Sequence, residues 1–446
     1  MAEQMVASVS EAGARPADGH GSMGVVGAAA LVAGSMVGSG VYLLPATLGA
    51  VGSISILGWI AATVAALAIA GVFAWLGRAA PHATGMPTYV EAGLGRFFGV
   101  QVTLSFWTSN WVGNASIALA VAGAAGYLVP ALAGPGPRLA VTLAAIWFAV
   151  AAAWLGPRAV TRVEGLTLGL GLLPVILAAT FGWLAFHPAV FLASWNPQGL
   201  SPGAAVGASA LSAFWAFLGV ECAAAVARVV RDPTRNVPRA TLAGVAGVAV
   251  LYISACTVLM GVLPAATLAA SGSPFAEAGK ASLGVGLGGV IAVSALLRAL
   301  GCVTGWTLVA AETTRSGADE GLFPRLFRTR PGERASPANL LTMGALMSLM
   351  AVSTATPTLA QQFSTLANIA VILSLYSYAL CGLSLVRLVG GYAPHRRLAA
   401  RATAVVAIGC AVAIAASAKP IELVLCLVPL GAAAALYLWL NRRRAL

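Results

Sequence analysis

The sequence predicts an all-α integral membrane protein of twelve transmembrane helices, and three observations carry that expectation. Hydrophobic residues make up 59% of the 446, and charged residues only 9%, a balance that a soluble domain of this size cannot bury. Apolar runs of about 20 residues, long enough to cross a bilayer as a helix, recur twelve times, at 23–50, 54–77, 98–128, 138–155, 165–186, 205–228, 240–263, 283–314, 337–355, 363–388, 399–418 and 421–441. Basic residues fall in alternate loops: Arg78 and Arg96; Arg158 and Arg162; Arg228, Arg231, Arg235 and Arg239; Arg315, Arg325, Arg328, Arg330 and Arg334; Arg387, Arg396, Arg397 and Arg401; and the terminal Arg442 to Arg444. The loops between carry only Arg138, Lys280 and Lys419. By the positive-inside bias both termini are expected on the cytoplasmic side.

The polar tail 1–22 has no basic n-region followed by a short apolar core, so it is expected to stay on the side where it is made. The net charge of +12 is spread over short loops and reads as topology, not as a nucleic-acid surface. Cys222, Cys256, Cys302, Cys381, Cys410 and Cys426 all lie in apolar runs without paired spacing and read as packing residues. His20, His82, His187 and His395 lie in the tail or in loops, which argues against a membrane-embedded histidine relay or metal site. No cofactor is implied.

Segments one and six are each interrupted by glycine. Segment one contains Gly34-Ser-Met-Val-Gly-Ser-Gly40 and then Pro45, and segment six contains Gly219. Taken as halves of five spans each, segments one to five and six to ten place these breaks at matching positions, and an odd number of spans inverts one half relative to the other. Matching breaks point to a transporter's midplane site, where freed backbone N–H groups attract a carboxylate and freed C=O groups an ammonium. The other use of Gly38-Ser39-Gly40 is close helix packing.

Segment six also carries Glu221, read as the one acid in mid-membrane. A charge there costs about 2.5 to 3.5 kcal/mol on insertion scales and usually faces a water-filled cavity or a partner. Either it is functional, with Trp215 nearby offering a π-face for a cation, or it is a protonated carboxyl bonded to a backbone carbonyl. Trp306 in segment eight is core filling or a ligand-facing wall. In segment three, Ser109, Asn110 and Asn114 either line a polar cavity or bond across helices.

Together Gly38-Ser-Gly-Val-Tyr-Leu-Leu-Pro-Ala46, Asn110-Trp-Val-Gly-Asn114, Phe214-Trp-Ala-Phe-Leu-Gly-Val-Glu221, Arg231-Asp-Pro-Thr-Arg-Asn-Val-Pro238, Ser273-Pro-Phe275, Gly305-Trp-Thr307 and Asp319-Glu-Gly-Leu-Phe-Pro324 resemble the bacterial basic amino acid/polyamine antiporters. These belong to the amino acid–polyamine–organocation superfamily and include arginine/agmatine, lysine/cadaverine and ornithine/putrescine exchangers. The resemblance runs from about Gly24 to the C-terminus. It implies a LeuT-type fold: a cytoplasmic tail 1–22, a five-helix repeat 23–187, an inverted repeat 205–388, two added helices in 399–441 and a cytoplasmic end 442–446. A homodimer in the inner membrane is a further implication. By the same resemblance Ser39 and Gly40 hold a substrate's carboxylate end, Asn114 contacts the substrate and Trp306 stacks on its cationic side chain. Trp215, Phe106, Glu221 and Tyr378 form the gates, with Glu221 sensing or carrying the proton.

Two positions depart from the family pattern. Phe106 stands in place of a gate tyrosine. Arg298 stands in place of a small residue, about 12 Å from Trp306 along the helix and toward the outer face. It is expected either to snorkel to headgroups or to line the outer vestibule, where it would repel dications or bind a carboxylate, and so it is a candidate for specificity. The expected function is exchange of a cationic amino acid for its decarboxylated amine. The alternative is a proton-coupled or facilitative amino acid transporter on the same scaffold, its substrate a small amino acid or amine in either case. An enzyme is disfavoured, because it would require buried histidine or clustered carboxylates.

Overall fold

A computed structural model describes residues 23–83, 85–222, 230–329, 336–355 and 358–444, leaving aside the side chains of residues 31, 39, 222, 233, 234, 443 and 444. The expected tail 1–22, the end of segment six, and Arg228, Arg330 and Arg334 lie outside the described residues.

Segment one is a bent pair, α1 (Val25–Met36) and α2 (Leu44–Val51), with a 3-10 turn at Ser39–Tyr42 and a 60° change of direction. Next come α3 (Ser55–Ala79), the short α4 (Met86–Leu94), α5 (Arg96–Leu128), α6 (Pro135–Trp154) and α7 (Pro157–Thr180). After α8 (Pro188–Ala193) the chain enters α9 (Pro202–Phe214), the described start of segment six. The second half continues through α10 (Pro233–Val262), the short α11 (Ala265–Ala270) and α12 (Pro274–Leu283), α13 (Val285–Asp319), α14 (Pro337–Ser353) and α15 (Leu359–Leu388). Helices α16 (Pro394–Ala415) and α17 (Pro420–Arg444) close the chain.

Among the described residues nine helices are long and apolar enough to cross a membrane, and the bent pair makes a tenth span. The other two expected segments correspond to the shorter apolar helices Pro202–Phe217 and Pro337–Ser353. The protein is an all-helical, multi-pass membrane protein.

The halves share a local device. In the first, short α4 ends on Gly95 (φ +92°), which also starts the long α5; in the second, short α12 ends on Gly284 (φ +93°), which starts the long α13. A side chain is strained at such a φ. The same glycine hinge thus links a short helix to the third span of each half.

Helices α5 and α15 form the centre: 78% of the apolar window of each is buried, against 11% for α17. Leu425, Leu427, Val428 and Leu438 of α17 accordingly remain exposed, facing where lipid would lie. Helix α5 packs most extensively on α13 and α15. Of the cysteines with described side chains, Cys256, Cys302, Cys381 and Cys426 are buried, Cys410 is partly so, and none of the five forms a disulfide.

Segment five begins earlier than its hydropathy indicates. The expected start was residue 165, yet α7 starts at Pro157, because proline is well suited to the first helical position and the first turn tolerates charge. Arg158, Arg162 and Glu164 are therefore helical. Helix α13, with 35 residues, spans about 52 Å, longer than the bilayer core of about 30 Å. Its last turns carry an exposed ion cluster, Arg315 to Glu312 at 2.7 Å and to Asp319 at 3.1 Å, with Arg328 at 3.5 Å from Asp319. Such pairs contribute little to stability.

Candidate functional site

The site is built where the two interrupted segments meet. Helix α1 stops at Met36, and after Val37 the chain turns into the Ser39–Tyr42 turn. The carbonyls freed by this break are met by side chains from the other half: Tyr252 Oη donates to Met36 O at 3.3 Å, and Arg298 Nη2 to Val37 O at 2.7 Å. Helix α9 gives way at Trp215 to a single 3-10 turn, then to extended Leu218, to Gly219 at φ +104° and to a second turn at Val220–Cys222. Ser35 Oγ donates to Gly219 O at 3.1 Å. A Cβ at position 219 would stand only 2.7 Å from Ser35 O, so glycine serves both the turn and the approach of the two breaks.

A cavity of about 50 Å³ lies beside this contact, room for a few water molecules at about 10 to 15 Å³ each. Of the residues singled out from the sequence, Gly38, Gly40, Phe106, Ser109, Asn110, Asn114, Trp215, Glu221 and Trp306 line it. The Trp215 indole lies directly over the Gly40 α-carbon, where any side chain would collide with it, and its far edge reaches Gly113. Ser39 contributes backbone in the 3-10 turn; its side chain is outside the described ones. Tyr378 does not line the cavity but reaches it through Glu221, its hydroxyl donating to Glu221 Oε2 at 2.5 Å. The Gly219 N–H donates to the same oxygen at 3.1 Å. Glu221 Oε2 thus accepts from two donors at the break.

The polar residues of α5 divide between the two uses expected of them. Ser109 Oγ is satisfied across helices, 2.9 Å from both Ala370 O and Ser374 Oγ. Asn114 Nδ2 donates to Thr307 Oγ1 at 3.3 Å, while Asn114 Oδ1 and Asn110 Nδ2 have no partner. Both asparagines line the cavity, which therefore offers one free acceptor and one free donor beside the Glu221 carboxylate. Ser35, Tyr252 and Ser374 also line it. They were not singled out, because single small or aromatic residues in apolar runs carry no distinguishing signal.

Two expectations require correction. Arg298 neither snorkels nor lines an outer vestibule: it is 3% exposed and bonded to Val37 O, because the α1 break leaves a carbonyl within its reach. Glu221 is not the one acid within the spans. Glu164, one residue before the expected start of segment five, lies in α7 against the α-carbon of Gly305, next to Trp306. Glu422 is 1% exposed, its Oε1 accepting from Asn368 Nδ2 at 3.0 Å and its Oε2 from the Lys419 N–H at 3.0 Å, at the start of α17. Glu312, on the same helix as Trp306, belongs to the ion cluster at the end of α13 and does not line the cavity.

A family profile described as amino acid permease matches residues 23–434. Among characterised proteins the chain is similar to the putrescine transporter PotE of Escherichia coli, 33% identical over 364 residues, covering 82% of this chain and 83% of that protein. PotE of Haemophilus influenzae is 31% identical over 358 residues, 80% of this chain and 82% of its own. A cadaverine/lysine antiporter of Escherichia coli is 32% identical over 373 residues, 82% of this chain and 84% of its own.

Proposed function

The chain belongs to the amino acid permease family, and we propose that it exchanges a cationic amino acid for its decarboxylated amine across the inner membrane by alternating access. Family and relatives make it a transporter of amino acids or amines, not an enzyme. They also fit the LeuT-type arrangement of two five-helix halves, for which we assign 23–187 and 205–388, preceded by the tail 1–22 and followed by the added helices in 399–441 and the end 442–446. Loop charge supports cytoplasmic termini, and a homodimer is the assembly we assign.

One observation carries the reading: the cavity at the contact of the two breaks holds a carboxylate, Glu221, and an indole, Trp306, with small polar groups between. That set suits a molecule with a cationic end and, at the other end, a carboxylate or nothing. In this reading the N–H groups of the turn at Ser39 and Gly40 take the carboxylate, Trp306 stacks on the cation, and Asn114 Oδ1 accepts from it. Trp215 and Phe106 cover the cavity, and Glu221 with Tyr378 links its occupancy to the gate and to the proton. The named relatives carry putrescine, cadaverine and lysine, the same chemical class. The free volume is too small for such a molecule, so entry requires the Trp215 indole to move.

The test is uptake of labelled arginine, lysine, ornithine and putrescine into proteoliposomes, with and without unlabelled substrate inside. Uptake that rises steeply with internal substrate is expected. Equal uptake into empty vesicles would replace exchange with a proton-coupled or facilitative mode. Gly40→Ala is expected to lower exchange roughly tenfold, because its methyl group displaces the indole and overpacking costs about 1 to 3 kcal/mol. Initial rates in the same vesicles check this, with size-exclusion chromatography confirming assembly.

A further inference from the structure

Behind the cavity wall lies a buried cation that the proposed exchange does not use. The Arg298 stem fills the space over the Gly171 α-carbon of α7, where a side chain would overlap it. Its Nη2 holds Val37 O, while Nε and Nη1 have no hydrogen-bond partner. The Tyr42 hydroxyl is engaged with Gly171 O and the Tyr252 hydroxyl with Met36 O, so neither competes for Val37. Cys302, one turn further along α13, places its Sγ 3.0 Å from where a Gly38 Cβ would stand, and Trp306, one turn beyond, lines the cavity. A single face of α13 therefore follows the α1 break from Arg298 to Trp306.

The neighbouring face of α13 is cut away by Gly301 and Gly305, against which α7 packs Thr167 and the Glu164 carboxylate. Glu164 and Arg298 both lie along this seam of α7 and α13, with no ion pair between them within 4 Å. Val37 is the C-cap of α1, the end at which a half-helix concentrates negative partial charge. In transporters with broken helices such ends and unwound carbonyls bind a cation.

We propose that Arg298 is a positioning residue of the substrate site, a tethered internal cation that joins the carbonyl end of the α1 half-helix to α13. It takes the carbonyl that would otherwise draw a cation from solution or the second ammonium of a diamine. The break thereby keeps its amide side open to a carboxylate and favours the amino acid over its diamine. This rests on the cavity being the substrate site.

Two readouts on Arg298→Ala and Arg298→Lys test it. The first is independent of cargo: ethylguanidinium chloride, compared with choline chloride at the same concentration, should raise the Tm of purified Arg298→Ala and leave the wild type unchanged, because the probe refills the vacated site. The second is the ratio of KM for the amino acid to KM for its diamine. It should shift toward the diamine by roughly fivefold in Arg298→Ala, the scale of an uncompensated helix end, and stay near the wild-type value in Arg298→Lys. Absence of a specific thermal effect, or an unchanged ratio in Arg298→Ala, overturns the proposal. If Arg298→Ala does not assemble, Arg298→Lys decides: a Tm and ratio near wild type support the tether, and a ratio shifted to the diamine overturns it. Wild-type protein that exchanges neither compound would remove the functional reading, and the thermal comparison would still decide the role of Arg298.

Discussion

Replacing Trp306 with leucine is expected to weaken binding of the cationic substrate by roughly thirtyfold, equivalent to about 2 kcal/mol for a desolvated cation–π contact. Leucine fills much of the space and leaves α13 apolar at that position, so the protein should still assemble. Trp306 lines the cavity together with Glu221, where an entering cation can meet its ring. Titration calorimetry on purified wild type and Trp306→Leu measures the change. Equal affinity in the two proteins would remove the stacking role.

Glu221→Gln is expected to have a comparable or larger effect, about 3 kcal/mol or roughly a hundredfold in affinity, the upper range for a hydrogen bond to a charged group. Glutamine keeps the shape and can still accept from Tyr378 and from the Gly219 N–H, which bond to Glu221 at 2.5 and 3.1 Å. It cannot offer a negative charge. Proton and cationic substrate compete for the one carboxylate, so wild-type affinity should fall as pH is lowered through the range in which a carboxylate takes up its proton. The variant should bind weakly with a flat profile. A Glu221→Gln protein that keeps the wild-type pH profile in proteoliposomes would make Glu221 structural.

The features legible in the sequence were the local ones. Apolar runs marked the spans, and the glycines at 38, 40 and 219 marked the breaks, because a break in a helix has to be encoded where it occurs. Trp215, Glu221 and Trp306 stood out as residues costly or unusual in mid-membrane, and the structure places all three on one cavity. Partners distant in the chain were not legible. Arg298 meets Val37 across 261 residues and Ser35 meets Gly219 across 184, and no periodicity links such positions. Glu164 was missed for a different reason: hydropathy locates the apolar middle of a helix, whereas Pro157 sets its start. Serine and tyrosine in apolar runs, such as Ser35, Ser374 and Tyr252, are too common to single out until the fold brings them to the same wall.

The central claim is that the substrate occupies the cavity between the two breaks. Asn110 lines that cavity with an unpartnered Nδ2, and a cysteine at this position reports on occupancy. The most direct measurement is the rate at which a water-soluble methanethiosulfonate reagent labels Asn110→Cys in proteoliposomes, read by peptide mass spectrometry, with and without saturating transported substrate. Labelling without substrate and strong protection with it are predicted. A labelling rate indifferent to saturating substrate would contradict the claim and place the substrate elsewhere.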